Sequence, residues 1–329
     1  MDPAQGAEET LLPPPPPGPG TLGALRPPLL NILLFILTFA SAFIAGSVLS
    51  DTQLPEPDRM EMLRHGLGFS LALLFIMLSH EMGHFFLARR HGVDATWPFF
   101  IPAPLLSIIG TLGAVIRLRS LPRTRRALLD IGAAGPIAGF IATLPVLALG
   151  LHWSTVVPVE PESARWTLFN AFLQWFHTGT WPPLKEAFDL GYPAGMVLAE
   201  RLVVGALPAG KTLALHPVAV AGWFGFFLTA LNLLPLGQLD GGHVLFGASP
   251  GLHRLAGPPL SAALLALGVF TPFPGWILWG LLMGLGLGFH PALAEPEERL
   301  DGPRRVLVAV SVLLFALSFS PVPVALIAG

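Results

Sequence analysis

Residues 66–88 read GLGFSLALLFIMLSHEMGHFFLA. The run is long enough to cross a bilayer, since about 20 helical residues span the hydrocarbon core. It is apolar except where His80, Glu81 and His84 interrupt its second half. Ionisable groups in such a run are costly to bury in lipid and mark function. This one segment predicts both a membrane helix and a site inside it.

The composition agrees. Of 329 residues, 53% are hydrophobic and 12% are charged, against roughly a quarter charged in an ordinary soluble domain. A mean hydropathy of +0.68 cannot be hidden in a water-soluble core of this size. A soluble enzyme and a disordered chain are excluded. The net charge of -2 offers no polycation to phosphates, so nucleic acid is excluded as a partner. With no cysteine, a disulfide scaffold, a thiol nucleophile and a thiolate metal site are excluded too.

Working outward, further apolar runs cover Leu29–Leu49, 128–151, 217–239, 255–289 and 306–322. The run 255–289 is too long for one span, and Thr271-Pro272-Phe273-Pro274-Gly275 divides it into two helices, the second covering 276–289. The expectation is an all-α polytopic membrane protein with six to seven transmembrane helices. The proline-rich segment 1–28 reads as a disordered tail, and 29–329 as one transmembrane domain. Seven of the 18 basic residues, Arg89, Arg90, Arg117, Arg119, Arg123, Arg125 and Arg126, lie between the second and third spans. That marks the loop as cytoplasmic. Arg299, Arg304 and Arg305 precede the last span on the same side by alternation. The segment 152–216 is then an external insertion, within which 168–176 reads as an amphipathic surface piece. The eight tryptophans and most phenylalanines are expected at lipid or at its interface.

Within the cytoplasmic loop, 97–104 is apolar but too rich in proline for a helix. From Ile109 to Arg119 the residues alternate, with Gly110, Leu112, Ala114, Ile116 and Leu118 on one face. A period of two predicts strand, hence a small membrane-associated β-hairpin. Two roles fit it: packing on neighbouring helices, or an edge that pairs with an extended peptide.

His80-Glu81-Met82-Gly83-His84 fits H-E-x-x-H. On a helix, positions i and i+4 share a face, so both imidazoles can reach one Zn²⁺ at about 2.0–2.1 Å. Glu81 projects beside them, where it can take a proton from water. A catalytic zinc usually has a third protein ligand. The second and fourth spans run in the same direction, which places Asp240, at the end of the fourth, at the depth of the two histidines. Pro235, Gly237, Gly241 and Gly242 allow irregular backbone there. An ordinary helix terminus with an exposed Asp240 is the other reading.

His80-Glu81-x-x-His84, followed by Asn232-x-x-Pro235-x-x-x-x-Asp240-Gly241, resembles the site-2 protease family of intramembrane zinc metalloproteases. Gly132-Ala133-Ala134-Gly135-Pro136-Ile137-Ala138-Gly139 looks like that family's glycine-rich third-helix motif. The likeness covers about 66–245, the expected catalytic core. The combination of His216-Pro217 to Gly222-Trp223 with Leu239 to His243 looks like the branch without a PDZ domain. The resemblance implies one Zn²⁺ per chain, with His80, His84 and Asp240 as ligands and Glu81 as general base. It implies that Asn232 holds substrate backbone or the developing oxyanion, whereas interhelical hydrogen bonding is its plain alternative. Gly135 and Gly139 suit close helix packing. His243 fits either support of the metal site or a capping role, and His65, His91, His152, His177, His253 and His290 are expected to have no special role.

The expected activity is hydrolysis of peptide bonds in or near transmembrane segments of substrate membrane proteins. The lipid bilayer is the other expected partner. A bacterial inner membrane is the expected location, with the site toward the cytoplasmic leaflet, since the N-terminus is unlike a transit peptide. Two alternatives remain: a transporter or proton pathway using the buried His and Glu, and a catalytically inactive quality-control homologue.

Overall fold

The computed structural model describes residues 28–53, 58–104, 106–159, 167–180, 184–284 and 300–328. The expected tail, except Pro28, lies outside the described residues. The chain is mostly helical. In order, α1 (Leu29–Gln53) and α2 (Arg59–Arg90) lead into the strands β1 (Phe99–Pro102) and β2 (Thr111–Val115), then α3 (Arg125–Trp153). The insertion holds β3 (Thr155–Pro158), α4 (Leu168–Thr178), β4 (Leu184–Leu190), α5 (Ala194–Val203) and β5 (Lys211–Ala214). Then follow α6 (Pro217–Asn232), α7 (Asp240–Ala248), α8 (Pro250–Phe270), α9 (Gly275–Leu282), α10 (Gly302–Ser318) and β6 (Val324–Ala328). Among the described residues four helices are long and apolar enough to cross a membrane: Leu29–Leu49 within α1, then α2, α3 and α8.

Several expected boundaries move, each for a local reason. The run 217–239 is not one helix. It ends at Asn232, because Pro235 lacks an amide proton and disfavours helical backbone at Leu234. Asp240 therefore opens the new helix α7 rather than closing the fourth span. The helix expected from residue 255 starts earlier, as α8 at Pro250, where the Ser249 side chain accepts from the Leu252 amide. The break at 271–275 occurs as expected, and 285–289 of the following run lie outside the described residues. The last helix stops at Ser318, short of Pro321 and Pro323. The chain then pairs β6 antiparallel with β4. Neither that pair nor β3–β5 was expected, since their strands meet across long sequence separations.

The core forms where α2, α3 and α6 meet, with Phe69, Leu73, Leu147 and Val220 buried among them. Trp223 and Trp276, each 1% exposed, are core residues rather than lipid anchors. Their indole N–H groups donate to the carbonyls of Gly191 at 2.6 Å and Pro321 at 2.8 Å, which a buried indole requires.

The hairpin is present. β1 and β2 pair antiparallel, Phe99 opposite Val115 and Phe100 opposite Ala114, with a register break before Pro102. It is tied to α1, where the Asn31 amide donates to the carbonyls of Trp97 and Pro98 and the Ser41 hydroxyl donates to Gly110. The alternation expected over 109–119 is realised as a shorter strand, Thr111–Val115. Leu112 is 65% exposed, whereas Thr111 is buried. Gly113, at φ 114°, turns the strand at that point.

Candidate metal centre

His80 and His84 stand one turn apart on α2 and both are buried. The His84 Nδ1 lies 2.7 Å from the Ile131 carbonyl of α3. A carbonyl only accepts, so Nδ1 carries the proton, and the neutral ring then presents a bare Nε2. That Nε2 lies 3.1 Å from the Nε2 of His80. Asp240, at the first turn of α7, places Oδ2 3.2 Å from both nitrogens. The structure thus brings together the three residues expected to bind metal.

Three electron-pair donors converge here. One proton could bridge only one of the contacts, whereas a single cation satisfies all three. Ligands about 2.0–2.1 Å from a tetrahedral zinc stand about 3.3 Å apart, close to the separations found. The donor set, two imidazoles and one carboxylate, is also one that zinc accepts. The residues fit the expected ion.

The surrounding elements explain how the donors meet. A methyl group at Gly135 would collide with the His84 ring, and one at Gly139 would lie 3.1 Å from Nδ1 of His80. The glycine-rich motif of α3 does serve close packing, as expected, but packing against the two imidazoles themselves. On the other side, Gly237 adopts φ 56° in the turn before Asp240, and the His253 ring meets its carbonyl at 3.2 Å. Gly241 leaves room for the carbonyls of Leu233 and Leu234. The far end of α7 is closed by Arg125, which donates to the carbonyls of Gly247 and Ala248 at 2.9 and 2.6 Å.

Glu81 is 7% exposed and sits on the same turn of α2 as the pair, with the backbone amide of Ile116, just past β2, beside its carboxyl. Asn232 ends α6, and its amide nitrogen is 3.4 Å from Nε2 of His80. Both therefore border the centre. A methyl group at Gly132 would stand 2.8 Å from Cβ of His243, so that histidine packs on α3 beside the centre.

Residues not singled out in the sequence support the site. Asp130 of α3 is buried and accepts from Arg304 of α10 through Nε at 2.9 Å, and through a second guanidinium nitrogen on its other oxygen. His91, at the end of α2, meets the same carboxylate at 2.9 Å. His91 and His253 thus have structural work that was not expected of them. A lone acid inside the apolar run 128–151 was a usable signal for Asp130. The Ile131 carbonyl left none, since every residue has one.

Comparison with known proteins matches this core. The description "Peptidase family M50" fits residues 68–271. The probable zinc metalloprotease EGY1, chloroplastic, of Arabidopsis thaliana is 32% identical over 326 residues, covering 93% of this chain and 55% of its own length. The rice protein of the same name is also 32% identical, covering 93% of this chain and 52% of its own. The probable zinc metalloprotease EGY2, chloroplastic, of Arabidopsis thaliana is 28% identical over 263 residues, covering 79% and 42%. The chain spans about half the length of these curated relatives. No solved structure matches it. With the family description covering most of the chain, and the paired histidines, the glycine-rich helix and the acid of α7 all inside it, this protein belongs to peptidase family M50.

Proposed function

We propose that this chain is an intramembrane zinc metalloprotease that cuts peptide bonds in or near transmembrane segments of other membrane proteins. The observation that carries the reading is the convergence of His80, His84 and Asp240, three donors within 4.8 Å of one another. In the proposal these hold one Zn²⁺, which when bound supplies Lewis acidity toward a water and the scissile carbonyl. Glu81 takes a proton from the attacking water and delivers it to the leaving amine as the carbon–nitrogen bond breaks. The Asn232 amide, beside His80, donates to the substrate carbonyl oxygen as its charge grows. The Ile131 carbonyl keeps the His84 ring in the tautomer that ligation needs.

A transmembrane helix hides its carbonyls, so the substrate must unwind before attack. The edge of β2 offers backbone pairing to the unwound segment, and its continuation at Ile116 lies beside Glu81. In this reading 66–245 is the catalytic core and 152–216 an external insertion, and α6 and α10, without or with the helix that begins at α9, bring the four long apolar helices to six or seven spans. The active site then lies toward the side of the arginine-rich loop. The relatives are chloroplastic, so a bacterial inner membrane draws no support from them. A transporter using the same His and Glu leaves the Asn232 to Gly242 segment without a role.

The test is a Glu81→Gln variant of the full chain, purified in detergent and in a bilayer beside a transmembrane substrate. The expected result is retained zinc with cleavage lost. Unchanged cleavage, or purified wild-type protein that binds no zinc, overturns the proposal.

A further inference from the structure

The insertion contains one helix that the fold leaves almost bare. α4 is capped at both ends: the Thr167 side chain accepts from the Asn170 amide at 3.0 Å, and Gly179, at φ 73°, closes the last turn. Only Ala171 is buried. At 100° per residue, Leu168, Phe169, Phe172, Leu173, Trp175 and Phe176 fill one continuous sector, and Asn170, Gln174, His177 and Thr178 fill the other. The two residues at the centre of the apolar sector are Phe172, 51% exposed, and Phe176, 69% exposed. Water is a poor solvent for such a face, and a helix of this kind belongs at an apolar boundary.

The neighbour of α4 says which boundary. Phe169 packs against Phe270, their ring centroids 5.3 Å apart. Phe270 is the last residue of α8, one of the four helices long and apolar enough to cross the membrane. Phe270 is itself 62% exposed, and Leu255, on the same helix, is 75% exposed. The apolar face of α4 thus continues a surface of α8 that a bilayer would cover, at the level where that helix ends. Trp175 on this face is a residue type enriched at membrane interfaces.

We propose that α4 lies in the membrane interface, with its Phe172–Phe176 face sunk into the acyl boundary of the phospholipid layer and its Asn170–Gln174 face in water. The insertion is then fastened to the bilayer beside the outer end of α8, in addition to its covalent connections to α3 and α6. The polar face carries no Lys or Arg, so the attachment comes from apolar area and needs no anionic lipid. This inference rests on the membrane setting of the chain and is independent of the catalytic reading.

The chain has no cysteine, so a single introduced thiol can be labelled without background. The experiment places a nitroxide on Phe172→Cys, Phe176→Cys, Asn170→Cys or Gln174→Cys of the full chain in phosphatidylcholine nanodiscs, and measures collisions with oxygen and with a water-soluble nickel complex. Positions 172 and 176 should favour oxygen, and 170 and 174 should favour nickel. Adding phosphatidylserine should leave the pattern unchanged. Nickel access at all four positions places α4 in water and overturns the proposal. Low access to both reagents at 172 and 176 means that protein covers the face, from this chain or a second copy, and overturns it equally. The unfolding temperature of each labelled sample reports whether the core is intact, and a label at Leu168→Cys, in the same apolar sector, replaces those at 172 and 176 if they disturb folding, with oxygen access expected there and nickel access overturning the proposal.

Discussion

The Nδ1–H of His84 donates to the carbonyl of Ile131 at 2.7 Å, one residue along α3 from the carboxylate that binds Arg304 and His91. The same short stretch of α3 therefore orients one imidazole of the proposed metal centre and anchors the ends of α2 and α10.

Loss of that anchor should reach the metal. Asp130→Asn keeps the shape but removes the charge that Arg304 and His91 share. Metal affinity is expected to fall about tenfold or more, as it does when groups supporting a ligand are lost. Asp130→Ala should also destabilise the fold by roughly 2 kcal/mol, because Arg304 keeps Asp301 at 2.7 Å but loses its two charge-assisted hydrogen bonds to Asp130. Chelator competition reads the first and thermal unfolding in detergent the second. Unchanged affinity with lowered stability would reduce Asp130 to a structural role.

The two glycines of α3 should differ in severity. Gly135→Ala puts a methyl group where the His84 ring stands, and bound zinc should be lost. Gly139→Ala brings a methyl to 3.1 Å of the His80 ring, which a small shift relieves, and most zinc should remain. Metal stoichiometry of the two purified variants makes the comparison, and equal retention would refute the packing argument.

Metal removal should loosen the protein. The convergent lone pairs of His80, His84 and Asp240 repel one another without a cation, and a ligand that binds only the folded state stabilises it. Zinc at a hundred times its dissociation constant should contribute about 2.7 kcal/mol. A higher unfolding temperature with zinc is expected for wild type and Glu81→Gln, and no response for His84→Ala or Asp240→Ala.

Stability should fall in mild acid through a residue far from the metal. His216 caps α6, its Nδ1 accepting the Val218 amide at 3.2 Å, with the His65 ring 4.7 Å away. Burial, reinforced by His65, lowers its pKa from 6.5 to about 4. The unfolded chain then binds more protons than the folded one between these values. The stability associated with neutral His216 is complete above about 6.5 and is lost as pH falls toward 4. His216→Asn, which still caps but does not titrate, should flatten that part of the pH profile of the unfolding temperature.

Much of the molecule was legible in its sequence. The apolar runs of α1, α2, α3 and α8 announce themselves, because a membrane helix must satisfy its backbone within itself and cover itself in apolar side chains. The 109–119 alternation marks β2, and the spacing of His80 and His84 places both on one face, since helix periodicity is a local property. The pairing of β4 with β6, the burial of Trp223 and Trp276, and the point where α6 ends were less legible. Each depends on what distant chain supplies or on a proline overriding an apolar run.

The residue types of the centre, and their order along the chain, are properties of the sequence alone. That Asp240 stands 3.2 Å from both imidazoles, that Gly135 makes space for His84, and that a backbone carbonyl chooses its tautomer were decided by the tertiary structure. Local rules carry no information about residues 47 or 156 positions apart, as Ile131 and Asp240 are from His84, and only the packing of α2, α3 and α7 brings these groups to one point.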